Sequence, residues 1–238
     1  MGLFPAKSLE LRNNNSDALL VLPGIGYGPS GRKAMQHFFH TAEVDLFVPD
    51  YIQKSGLDDS VKFLQDYYAR NELFKYQRLH VFCFIAGAYV LRRWLRSSNL
   101  KPSSVILDRS PYQERAPAIV TTRIPFIARL LLGDFVFQLA KESYPDLSKD
   151  LHGAIKPGLV IEQKRTLILK VFAGQCRRMG PIHWQPESMQ TSIQDHIYVP
   201  YHHDSIYANF HRLSPQIMEF IRSGSFGKAR RNPPLLQV

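Results

Sequence analysis

One stretch constrains this chain more than any other. Residues 78–96 read Arg-Leu-His-Val-Phe-Cys-Phe-Ile-Ala-Gly-Ala-Tyr-Val-Leu-Arg-Arg-Trp-Leu-Arg. The apolar run from Leu79 to Phe84 has the length and character of a buried strand. Ala86, Gly87 and Ala88 form a corner of small residues. Leu91, Trp94 and Leu95 then recur at helical spacing, with Arg92, Arg93 and Arg96 between them. That spacing turns the apolar side chains inward and leaves the arginines on a solvated face. A strand that runs through small residues straight into a helix must pack closely against it, so the sheet has to be covered by helices.

The rest of the chain repeats the alternation. Strands are expected from Asp17 to Pro23, Val44 to Val48, Ser104 to Leu107, residues 165–172, and Ile197 to Val199. Helices are expected from Arg32 to His40, from Asp58 to Arg70 and from Pro215 to Arg222, with the acids of the second at its N-terminus. Strands alternating with helices give βαβ units and a mainly parallel sheet with helices on both faces. Residues 112–160 break the pattern with two apolar helices separated by Gly133-Asp134, as a helical lid insertion would. The expected organisation is one α/β domain over residues 1–222 and a basic, disordered tail over 223–238.

Composition narrows the partners. With 238 residues, a large single core is within reach. Two cysteines, Cys83 and Cys176, form neither a disulfide framework nor a metal-binding spacing, which favours a reducing compartment. The first residues carry no basic-then-apolar leader, and Ala6 breaks a myristoylation pattern. No apolar stretch reaches membrane-spanning length. These features together predict a cytoplasmic protein with no cofactor, no metal and no transmembrane segment. The net charge of +10 would draw anions. It is spread along the chain, and no nucleic-acid motif accompanies it, so nucleic-acid binding is the weaker alternative.

With these residues in view, the chain resembles the α/β-hydrolase superfamily over roughly residues 16–222. The corner at 83–87 is similar to the family's nucleophile elbow, the sharp turn that carries G-x-S-x-G. Here it reads Cys83-Phe84-Ile85-Ala86-Gly87, with Ile85 at the serine position. The resemblance implies an oxyanion amide in the loop Leu22-Pro23-Gly24-Ile25-Gly26-Tyr27-Gly28, where glycines let N–H groups approach a negative charge. It implies a catalytic histidine after the last strand, where His203 fits by position and His202 is its rival. The family's acid usually follows the penultimate strand. The segment after residues 165–172 has no carboxylate, which leaves Asp108, after the preceding strand, as the residue to orient the histidine. Gly24, Ile25, Gly26, Ile85 and Ala86 would line the pocket.

Other nucleophiles fit less well. Cys83 lies two residues before the apex and reads as a buried thiol. Ser110 follows a different strand, and Ser30 suits a helix cap. The loop over residues 24–31 lacks both the dinucleotide and the Gly-Lys-Ser/Thr fingerprints. Without an oxygen or sulfur at the apex, no acyl-enzyme forms by the family's route. The expected function is therefore a non-catalytic or altered-chemistry binding module for a small apolar or acyl ligand, with a protein partner also open. The alternative is a hydrolase or lyase in which His203, with Asp108, activates water or substrate directly.

Overall fold

The computed structural model describes residues 8–151 and 155–228. Seven strands form one sheet: β1 (Leu9–Leu11), β2 (Asp17–Leu22), β3 (Asp45–Val48), β4 (Arg78–Cys83), β5 (Ser104–Arg109), β6 (Gly158–Glu162) and β7 (Asp195–Val199). Their order is β1-β3-β2-β4-β5-β6-β7, and only β1 runs antiparallel to its neighbour. Ten helices connect and cover them. They are α1 (Pro29–Phe39), α2 (Leu57–Arg70), α3 (Ile85–Ser97), α4 (Ala116–Arg123), α5 (Pro125–Lys141), α6 (Leu167–Val171), α7 (Ala173–Arg178), α8 (Pro186–Met189), α9 (His203–Ile206) and α10 (Phe210–Ser223).

The strands are apolar on both sides because both faces are buried. Along β2, Ala18, Leu20 and Leu22 face a core shared with α2 and α3. Leu19 and Val21 face the opposite core, which α1 and α10 complete through Met35, Phe39, Phe210 and Ile217. The chain winds outward from β2 to β3 and returns to place β4 on the other side of β2. That reversal makes the carboxyl ends of β2 and β4 a topological switch point, the crevice where open α/β sheets hold ligands. The loop containing Gly24 and the turn at Ile85 both leave the sheet there.

The sheet departs from the sequence expectation at one strand. Residues 165–172 are not a strand: Thr166 is buried, and its hydroxyl bonds Gln113. The following residues coil into α6, with Leu169 inward and Leu167 and Val171 outward. The strand at this place in the sheet is β6, inside the segment expected to be lid. Its Leu159-Val160-Ile161 core is fully buried between β5 and β7.

The connection between β5 and β6 does hold the two expected apolar helices. They are the halves of α5, broken at Gly133 with φ 63° and ψ −152°. A β-carbon there would lie 2.2 Å from the carbonyl oxygen of Lys54, so only glycine allows the contact. The amide of Asp134 donates to that same carbonyl at 2.7 Å. Helix α4 precedes them and packs on α5 through Val120, Ala128 and Val136.

At the C-terminal end, the fold extends past residue 222. Phe226 is 2% exposed and stacks on Phe220, with ring centroids 4.6 Å apart. The amide of Phe226 and the hydroxyl of Ser225 both donate to Asp195. A single aromatic residue thus moves the edge of the expected tail; residues 229–238 lie outside the described residues.

Candidate active site

The turn after β4 places Phe84 at the helix cap and Ile85 at the first position of α3. Gly87 fits the small position two residues on. A β-carbon there would lie 2.6 Å from the carbonyl oxygen of Leu22, at the end of β2. The turn thus packs tightly against the end of β2, and none of its residues has a positive φ. Among the described residues, only Asn14 and Glu72 are non-glycine residues with positive φ. Ile85 and Ala86 are buried in the core shared with α2 and α3. The apex carries a methyl-bearing side chain held inside, in place of a hydroxyl pushed out over the sheet.

Behind the apex, three ionisable side chains converge from three elements. Asp108 comes from β5, Glu162 from the end of β6, and His203 from the start of α9. His203 Nδ1 lies 3.0 Å from Glu162 Oε1 and 3.6 Å from Asp108 Oδ2. Both carboxylates are fully buried, and His203 is 6% exposed. Of the two rival histidines, the structure thus brings His203 to the acid. His202 stays at the surface ahead of α9, where its amide donates to the hydroxyl of Ser205.

Glu162 went unread in the sequence because its strand was assigned elsewhere. It stands after the penultimate strand, where the family keeps its acid. The signal was present: Lys156-Pro157-Gly158 is a break, and Leu159-Val160-Ile161 ahead of Glu162 is a short, β-branched, fully apolar run. Asp108 and Glu162 are therefore both aimed at one imidazole.

Burial raises both carboxyls, since charge is disfavoured away from water. Proximity to Asp108 pushes Glu162 further, up to about 8, against the pull of His203. Burial would lower His203, but Glu162 and Asp108 outweigh it and raise the imidazole to about 10. The two carboxyls thus favour the protonated ring, and burial opposes it.

The expected oxyanion loop is also engaged. The amide of Gly24 donates to the hydroxyl of Tyr207 at 2.8 Å. A β-carbon on Gly24 would meet that hydroxyl at 2.7 Å and His203 Nε2 at 3.2 Å. Tyr207 in turn stacks on Phe84, with ring centroids 4.2 Å apart. Gly26 likewise faces the Tyr207 ring. Beyond Gly24 and Ile25 lies a slot of about 40 Å³, closed by Tyr51, Leu131 and Leu132. It has room for a few water-sized molecules and no more.

The remaining candidates have structural roles. Cys83 is fully buried, and burial raises its thiol well above the ordinary range. The hydroxyl of Ser110 accepts the amide of Gln113. Ser30 lies inside α1, whose cap is Gly28. The arginines of α3 are ion-paired: Arg93 with Asp58 and Glu142, Arg92 and Arg96 with Asp150.

No protein-family model matches the sequence, and no curated protein matches it. Solved structures do. The Bacillus licheniformis lipase BlEst2 is similar with a TM-score of 0.61 at 12% identity, over 86% of this chain and 90% of that one. MGS-MChE2, an α/β hydrolase from a lagoon-sediment metagenome, is similar with a TM-score of 0.57 at 11% identity, over 91% and 94%. The Pyrococcus furiosus esterase PF2001 gives a TM-score of 0.56 at 12% identity, over 91% and 90%. Together with the strand order, the small-residue turn and the placement of Glu162 and His203, these likenesses show that the chain has the α/β-hydrolase fold.

Proposed function

We propose that this chain uses the α/β-hydrolase fold as a binding module for a small apolar or acyl ligand, and not as a serine acyl-transfer enzyme. The observation that carries the reading is the buried Ile85 at the apex of the turn after β4, where acyl transfer needs a nucleophilic atom. The engaged Gly24 amide points the same way. The slot beside Gly24 and Ile25 holds only a few water-sized molecules as it stands, so a ligand would enter there once α5, whose Leu131 and Leu132 line it, swings out as a lid. The outer side of α5 exposes Phe126, Ile127 and Leu130, an apolar surface suited to admitting such a ligand or docking a protein partner.

The test pairs turnover with binding. Purified protein is assayed on short p-nitrophenyl esters and with a fluorophosphonate label, and its thermal stability is followed with medium-chain fatty acids. No turnover, no label, and stabilisation lost in Leu132→Trp are expected. Turnover that labels a serine would overturn the reading.

One observation favours a second reading. His203 keeps a buried acid partner, the arrangement of a working acid–histidine pair. Under that reading His203, oriented by its buried acids, activates water or substrate directly. Ester turnover without fluorophosphonate labelling, abolished in His203→Gln, would select it.

A further inference from the structure

The acid–histidine cluster has one carboxylate more than orientation of a histidine requires. The single Nδ1 of His203 is satisfied by Glu162 Oε1 at 3.0 Å. Asp108 is fully buried, yet neither of its carboxylate oxygens has a hydrogen-bond partner, and Glu162 Oε2 has none either. Buried carboxylate oxygens without hydrogen bonds are costly, and the one cation at hand, the His203 ring 3.6 Å from Asp108 Oδ2, is shared by two carboxylates. Arg109, the adjacent cation on β5, bonds Glu114 and Met189 instead.

We propose that Asp108, Glu162 and His203 form a binding site for one divalent transition-metal ion. The donor set is one imidazole nitrogen and two carboxylates, all three donor atoms lying within 4.8 Å of one another. Such a mixed set suits zinc, manganese or iron better than magnesium or calcium. Zinc bound at about 2.0–2.1 Å in a tetrahedron separates its ligands by about 3.3 Å. The separations from His203 Nδ1, 3.0 and 3.6 Å, bracket that value. The charges also close: two carboxylates and a neutral imidazole carry −2, which one divalent cation cancels. The ion would take the place of the protons that otherwise hold these groups together. It would tie the ends of β5 and β6 to α9 and give the unpartnered oxygens of Asp108 a partner. Three protein groups leave one position of a tetrahedron, which the second oxygen of Glu162, without a hydrogen-bond partner, is free to fill. The inference does not depend on the binding-module reading.

The experiment uses the untagged full-length chain, stripped with a chelator, incubated with zinc chloride and dialysed. We expect about one zinc retained per chain and a melting temperature raised by about 5 °C, with both effects lost in Asp108→Asn and Glu162→Gln. Retention of zinc by both variants, or no retention by the wild type with zinc, manganese or iron(II), would overturn the proposal. Should a variant not fold, X-ray absorption of the zinc-loaded wild type decides. One imidazole with oxygen ligands supports the site, whereas several imidazoles or any sulfur places the ion elsewhere and overturns it.

Discussion

The amide of Gly24 and the hydroxyl of Tyr207 are joined by a 2.8 Å hydrogen bond across 183 residues of sequence. On the proposed reading, this bond occupies the amide that a serine hydrolase would offer to an oxyanion. It also pins the loop after β2 to the segment between α9 and α10, directly over His203. The stacked Phe84 ring holds Tyr207 in place from the other side. On the proposed binding-module reading, the apex and the amide both differ from those of a serine hydrolase.

These two differences imply that restoring one does not restore activity. Ile85→Ser supplies a hydroxyl but leaves the Gly24 amide engaged and the apex unstrained. No ester turnover above background and no fluorophosphonate labelling are expected from it. Ile85→Ser combined with Tyr207→Phe frees the amide, so any gain in turnover should appear only in the double variant. Steady-state assays of both variants check this.

At Gly133 the backbone conformation and the contact with Lys54 both exclude a side chain. Gly133→Ala should destabilise the fold by about 2–3 kcal/mol, combining a conformation open only to glycine with a clash against a carbonyl. Denaturant unfolding measures it. An unchanged midpoint would mean that the break in α5 is not fixed by this contact.

His80 predicts a pH dependence. Its ring is 2% exposed on β4, with Nδ1 2.8 Å from the hydroxyl of Ser104. Burial lowers it from 6.5 to about 4, against the opposing pull of Asp17. Between those values the unfolded chain binds a proton that the native chain refuses, so stability rises with pH through this window and is flat above it. The loss on going from pH 7 to pH 4 is on the order of 3 kcal/mol. Stability measured against pH in the wild type and in His80→Gln isolates this contribution, and the variant should show a shallower acid limb.

Phe226 sits past the last helix yet belongs to the core. Phe226→Ala should cost about 3 kcal/mol, as expected for a fully buried ring. Truncation after Gly224 should cost at least as much, because it also removes the bonds from Ser225 and Phe226 to Asp195. Removal of residues 229–238 alone tests where the stabilising part ends. Thermal melts should place the truncation after Gly224 lowest, Phe226→Ala next and the removal of residues 229–238 highest.

Much of the architecture was legible because both faces of the sheet are buried. Burial on both faces forces consecutive apolar residues into β2 and β4, and a strand packed against its own helix forces small residues at Ala86, Gly87 and Ala88. These are local demands, so they are written locally, and they located Ile85 at the apex and His203 after the last strand. The error at residues 165–172 has the same origin. One turn of helix with Leu169 inward looks like a short strand until Thr166 finds Gln113, 53 residues away.

The sequence by itself determined the fold class, the small-residue turn at 85–88 and the position of His203, because each depends on residue type within a short window. Only the tertiary structure decided that Glu162 joins Asp108 at His203, that Tyr207 takes the Gly24 amide, and that Phe226 closes the core. Those relationships are made between residues far apart in the chain. Their energies come from burial and proximity, which are properties of the packed molecule and leave no pattern in the order of its residues.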